Sequence, residues 1–143
     1  MKPFFKNPEK FSGVYTRDQI KNVQLEDGEY VLINQDSSED GIGGTHWVGL
    51  KRDGETLLYF DSFNMPPLQT IVDWVNDQNH PETELMVNTG DPFQHVSSTM
   101  CGYYVTHFFN TVDTVEEFEK FNDEWSARTP AQNEKELEKI FDF

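Results

Sequence analysis

The chain has 143 residues, and its 26 acidic against 11 basic side chains give a formal charge of −15. That length fits one domain, an aromatic share of 14% that includes twelve phenylalanines supplies bulk for a packed interior, and a charged share of 26% argues against disorder throughout. The acidity speaks against nucleic acid as a main partner, because neutralising phosphates takes Lys and Arg; it fits a solvated surface or the attraction of a basic substrate.

Residues 1–10 carry charges and Pro3 but no apolar run, so no signal peptide is expected. No stretch of the chain approaches the roughly 20 apolar residues of a membrane span. Residues 11–17 read as a short strand, while Thr16-x-x-Gln19 forms a capping-box pattern that would open a helix through Val23; local sequence leaves both open. Residues 29–33 (EYVLI) follow an Asp27-Gly28 turn and read as a strand, and 35–44, rich in Ser, Asp and Gly, as a loop.

Two apolar runs then flank Asp53-Gly54, the pattern of a β-hairpin closed by a two-residue turn. With Asp53 and Gly54 as the turn, Arg52 faces Glu55 and, counting outward, His46 faces Asp61 on one side of the sheet. Cβ atoms of such a pair lie roughly 5 Å apart. A carboxylate there can accept a hydrogen bond from the imidazole, fix its tautomer and stabilise its cation; the same pair also fits an ordinary surface contact. A longer loop or a bulge would turn the pair into a diagonal one.

After Pro66-Pro67, residues 68–76 place Leu68, Ile71, Val72 and Val75 at helical spacing. Residues 84–88 suggest a short strand and 90–100 a polar loop containing Asp91-Pro92. Residues 101–111 form a helix pattern apolar nearly all round, hence buried. Thr114-x-x-Glu117 is a capping box opening an amphipathic helix to about Trp125, with Val115, Phe118 and Phe121 inward. A last, charged helix is expected over 134–141. Strands in the middle and helices at the end give an α+β fold.

Cys101 is the chain's one cysteine, so it forms no intramolecular disulfide and no cysteine-based zinc site, and it suits a reducing compartment. It opens the buried helix, with Ser98 or Thr99 as a candidate cap. A thiol in a first helical turn meets unpaired N–H groups and the positive end of the macrodipole, which favour the reactive thiolate; a buried structural cysteine is the plainer alternative. Gly102 lets a substrate backbone approach. Gln94, seven positions before Cys101, has an amide able to donate toward an oxyanion that the Cys101 N–H also holds, although it is equally a solvated loop residue. Trp47 belongs either beside such a site or in the core. His80 reads as solvated, His95 as a weak cleft candidate, and His107 as turned away from Cys101 along its helix. The histidine spacing matches no zinc motif, and neither metal nor cofactor is expected.

Taken together, Gly44-Thr45-His46-Trp47-Val48, Tyr59-Phe60-Asp61-Ser62-Phe63, Gln94 and Met100-Cys101-Gly102-Tyr103-Tyr104-Val105 resemble the adenovirus-type (adenain-like) maturation proteases, whose wider clan includes the proteases of ubiquitin-like modifiers. The order His, acid, Gln, Cys matches, as does the Gln-to-Cys interval. The resemblance covers residues 11–109 and is nearest to the versions in virophages and Polinton-type elements. It implies a papain-like α+β fold with the catalytic helix against a sheet, and His46, Asp61, Gln94 and Cys101 as catalytic residues. Gly44, Trp47 and Gly102 would line the site. It further implies cleavage of viral capsid or other structural precursors near small residues, notably Gly, in the virion and the host-cell cytoplasm. Adenovirus enzymes look basic and use DNA and a disulfide-linked peptide as activators; this chain is acidic with one Cys, so neither activator is expected. Removal of ubiquitin-like modifiers and a non-catalytic scaffold of the same fold are the alternative readings.

Overall fold

The computed structural model describes residues 5–35, 46–77, 84–95 and 100–142. Its strands are β1 (Phe11–Thr16), β2 (Tyr30–Asn34), β3 (Trp47–Asp53), β4 (Thr56–Phe60) and β5 (Glu84–Val87), laid side by side in chain order. The two outer pairings, β1 with β2 and β4 with β5, are parallel, and the central β2–β3 and β3–β4 pairings antiparallel. Both readings of residues 11–23 hold in succession. β1 runs to Thr16, and a 3-10 helix (Arg17–Asn22) follows, where the Thr16 N–H donates to Gln19 Oε1 at 3.1 Å.

The hairpin register differs from the predicted one. Asp53 pairs with Thr56 and Gly49 with Phe60, so the turn residues are Gly54-Glu55. Gly54 sits at φ +58 in the first central position, and Glu55 is not among the residues with positive φ. A turn on Asp53-Gly54 of the favoured primed kind would have forced Asp53 into left-handed backbone. Moving the glycine to the first position leaves only the residue without a Cβ there.

Side chains alternate between the two sheet faces. Leu58 and Phe60 of β4 face α2 (Cys101–Thr111) and α3 (Val115–Ser126), with Phe60 stacked on Phe108 at 5.0 Å between centroids. Leu57 and Tyr59 face α1 (Gln69–Asn76) and the 3-10 helix, packing with Ile20, Ile71 and Trp74. Each fully buried side chain of this size contributes about 1.5–3 kcal/mol. Trp74, absent from the predicted apolar face of α1, reaches across to donate from Nε1 to the Val23 carbonyl at 3.0 Å.

α3 begins at the predicted capping box, with the Glu117 N–H donating to Thr114 Oγ1 at 3.1 Å. α4 starts at Pro130 rather than Glu134 and runs to Phe141. A second capping box, Thr129 with Gln132, and a proline in the first turn set that earlier start. This is the expected α+β layout, with the cysteine at the N-terminus of a buried helix laid on a central mixed sheet.

Gly49 is what lets that helix lie so close. A Cβ at this position would stand 2.9 Å from the Phe109 ring and 3.0 Å from Val105 Cγ1, both on α2. Gly49→Ala is therefore expected to cost about 1–3 kcal/mol of stability by forcing α2 off the sheet. A denaturant titration checks it, and an unchanged midpoint would remove the close approach as the reason for this glycine.

Candidate active site

His46 immediately precedes β3, and its carbonyl accepts from the Gln35 N–H at 3.1 Å, extending the sheet bonding by one step. Asp61 immediately follows β4. The β3–β4 ladder ends at Gly49 with Phe60. Residues 61–64 form a turn, closed by the Asn64 N–H on the Asp61 carbonyl at 2.9 Å. His46 Nε2 donates to Asp61 Oδ1 at 2.6 Å, and the His46 and Phe63 rings lie 4.4 Å apart. The predicted pair is present, but beyond the end of the ladder rather than as a directly opposed strand pair.

Asp61 is fully buried, and its position is fixed by neighbours the sequence did not mark. Oδ1 also accepts from the Phe63 N–H at 2.8 Å. Asn88, just past β5, accepts from the Asp61 N–H at 2.9 Å and donates to its carbonyl at 2.8 Å. The same amide donates to Asn64 at 3.0 Å. A buried amide closing a ring of bonds on one residue's backbone leaves its carboxylate little freedom.

With Nε2 engaged by Asp61, Nδ1 is the imidazole's other functional atom. It is buried and has no hydrogen-bond partner among the described residues. Burial works against charge on the ring, but the hydrogen bond and charge of Asp61, with the neighbouring Cys101, outweigh it and raise the pKa to about 9. Cys101 responds in the opposite sense. Burial would raise its thiol, yet the His46 side chain and the backbone N–H groups of Trp47 and Gly102 hold it below the ordinary value. The thiol at the start of α2 and the imidazole at the start of β3 thus act on one another, and their shifts together favour a thiolate beside an imidazolium.

α2 begins with Met100 as its N-cap and no side-chain cap bond; Ser98 and Thr99, the expected caps, lie outside the described residues. Among the described residues no side chain caps α2, whereas Thr114 and Thr129 cap α3 and α4. At the far end of α2, the nearly buried Lys51 donates to the Phe109 carbonyl at 3.2 Å and to Asp113 at 2.6 Å. A cation there complements the negative end of the helix dipole.

Gln94 is buried, not solvated. Ser62 controls its segment. The Ser62 carbonyl accepts from the N–H groups of Phe93 at 2.9 Å and Gln94 at 3.1 Å, and the Ser62 hydroxyl donates to Gln94 Oε1. The Phe93 carbonyl accepts from Tyr104 Oη on α2 at 3.0 Å and from Asn133 Nδ2 on α4 at 3.1 Å. Ser62 and Asn133 are both fully buried. Ser62 stood inside the quoted motif beside Asp61, a polar residue closing an apolar run, and that was the available signal; nothing local marked Asn88 or Asn133.

Trp47 is half-buried and joins neither core layer, and its backbone N–H acts on the Cys101 thiol. Gly102 is half-buried in the first turn of α2. Gly44 and His80 lie outside the described residues, and His95 is exposed. His107 faces α3, its ring 5.7 Å from Phe121 and 5.1 Å from Trp125. Burial, then the Arg128 and Lys6 charges, lower its pKa to about 4. No group of three or more His, Cys, Asp or Glu among the described residues is placed to hold a metal, and no described helix is long and apolar enough to cross a membrane.

No known protein family and no curated protein matches the sequence. Solved structures do. The ASFV pS273R protease matches at 19% identity and a TM-score of 0.49, covering 80% of this chain and 59% of that one. Its selenomethionine form matches at 20% identity and a TM-score of 0.41, covering 69% and 44%. The SUMO protease Ulp1, with its catalytic cysteine oxidised to a sulfinic acid, matches at 14% identity and a TM-score of 0.42, covering 81% and 59%. The chain thus spans under two thirds of the length of each of these structures.

Proposed function

We propose that the chain is a cysteine endopeptidase of the clan that holds the adenovirus-type and ubiquitin-like-modifier proteases. Its substrates are viral capsid or other structural precursors, cut near small residues, notably Gly, during virion maturation in the virus factory and the virion. The observation that carries the reading is the 2.6 Å bond from His46 Nε2 to the buried Asp61 carboxylate, on a ring that also acts on the Cys101 thiol, with the thiol lowered and the imidazole raised. In this reading the Cys101 thiolate attacks the peptide carbonyl carbon, and the oxyanion is held by the Cys101 N–H and the Gln94 amide. The C–N bond breaks as His46 delivers its Nδ1 proton to the leaving amine. Water then hydrolyses the thioester, releasing a carboxylate and restoring the thiol. Trp47 and Gly102 border the cleft.

The reading is tested by incubating the protein with capsid-precursor peptides containing Gly-Gly, and separately with conjugates of ubiquitin-like modifiers, and mapping products by mass spectrometry. Cysteine-dependent cuts beside small residues in the precursor are expected. Cleavage of the conjugates alone would make the protein an isopeptidase instead. Cys101 labelling at pH 6 no faster than free cysteine, with no cleavage of either substrate, would leave a scaffold.

A further inference from the structure

Building on that reading, we propose that Ser62 is a positioning residue that sets which end of the Gln94 amide faces the reacting carbonyl. The backbone around Gln94 is already held on both sides, by the Ser62 carbonyl on its N–H groups and by Tyr104 and Asn133 on the Phe93 carbonyl. What this clamp leaves undetermined is the half-turn of the side-chain amide. Its two orientations have nearly the same shape and opposite electrostatic sense. One presents N–H groups to a developing oxyanion; the other presents a carbonyl oxygen, which repels it.

The Ser62 hydroxyl resolves that ambiguity. It is fully buried and donates its one proton to Gln94 Oε1, which turns the NH₂ end away from Ser62. The flipped amide would take the acceptor from that proton and leave a buried hydroxyl donor unmet, a state folded proteins avoid. Ser62 is attached directly to Asp61, so one short segment carries both the orienter of the imidazole and the orienter of the oxyanion donor.

The test compares Ser62→Ala, Gln94→Ala and the double variant with the wild-type chain, using peptide turnover, the pH dependence of Cys101 alkylation, and NMR of the Gln94 side-chain amide. Ser62→Ala is expected to lower kcat roughly 10-fold, less than the 10²–10³ of losing a donor outright, with KM within about twofold. It should add nothing in the Gln94→Ala background and leave the alkylation profile in place, since alkylation builds no oxyanion. The amide resonances of Gln94 should shift. Additive effects, a shifted alkylation profile or unchanged amide resonances would overturn the role of Ser62. Turnover that survives Cys101→Ala would instead sink the protease reading, and the amide resonances would still decide whether Ser62 orients Gln94.

Discussion

On the protease reading, Cys101→Ala is expected to abolish peptide cleavage, with kcat falling by about 10⁴-fold or more, while the fold survives. The sulfur is the group on which the imidazole and two backbone N–H groups act, so alanine removes the nucleophile and leaves the rest of the site standing. His46→Ala gives a loss of the same order. The double variant is no worse than either single one, because thiol and imidazole work as one unit whose losses do not add. Initial rates on a quenched peptide, read beside thermal melting curves, separate lost chemistry from lost folding. Turnover within tenfold of wild type in folded Cys101→Ala would end the assignment.

Asp61→Asn produces the second large effect, a fall in kcat of about 10²–10⁴-fold. The carboxylate accepts from His46 Nε2 and stabilises positive charge on the ring; an amide offers weaker acceptance, no charge, and a donor end that selects the wrong tautomer. The pH profile makes the prediction sharper. In the native chain, activity is expected to rise on the acid side as Cys101 loses its proton below the ordinary thiol value, and to fall on the basic side as His46 loses its proton near pH 9. Without Asp61 the basic limb moves to lower pH, because the ring loses the partner that raised it. The same shift carries a stability consequence. His46 is raised from 6.5 to about 9 on folding, so its stabilising contribution is complete below pH 6.5 and disappears as pH rises through 9. A basic limb that stays near pH 9 in Asp61→Asn would show that the carboxylate does not hold the imidazolium.

Local chemistry made much of the fold legible. The capping box at Thr114 and the all-round apolar run of residues 101–111 gave helices where α3 and α2 stand, because caps and periodicity act within one turn. The hairpin was placed but its register was not, since Asp53-Gly54 and Gly54-Glu55 both satisfy a two-residue turn and only the sign of φ at each position separates them. The His46–Asp61 contact survived that error because both residues lie just outside the ladder, where the turn at 61–64 rather than the strand register sets the carboxylate. Gln94 was found by its interval to Cys101, but its burial was not, because Tyr104 and Asn133 reach it from α2 and α4. Asn88 escaped for the same reason: its grip on Asp61 spans 27 positions, and no window of neighbours encodes it.

The bond from Asn133 to the Phe93 carbonyl imposes an order on assembly. Synthesis delivers the imidazole, the carboxylate and the thiol before residues 130–141, so those three can meet while the oxyanion arm still lacks one of its pegs. On the protease reading, full competence is therefore expected to wait for the final helix to dock.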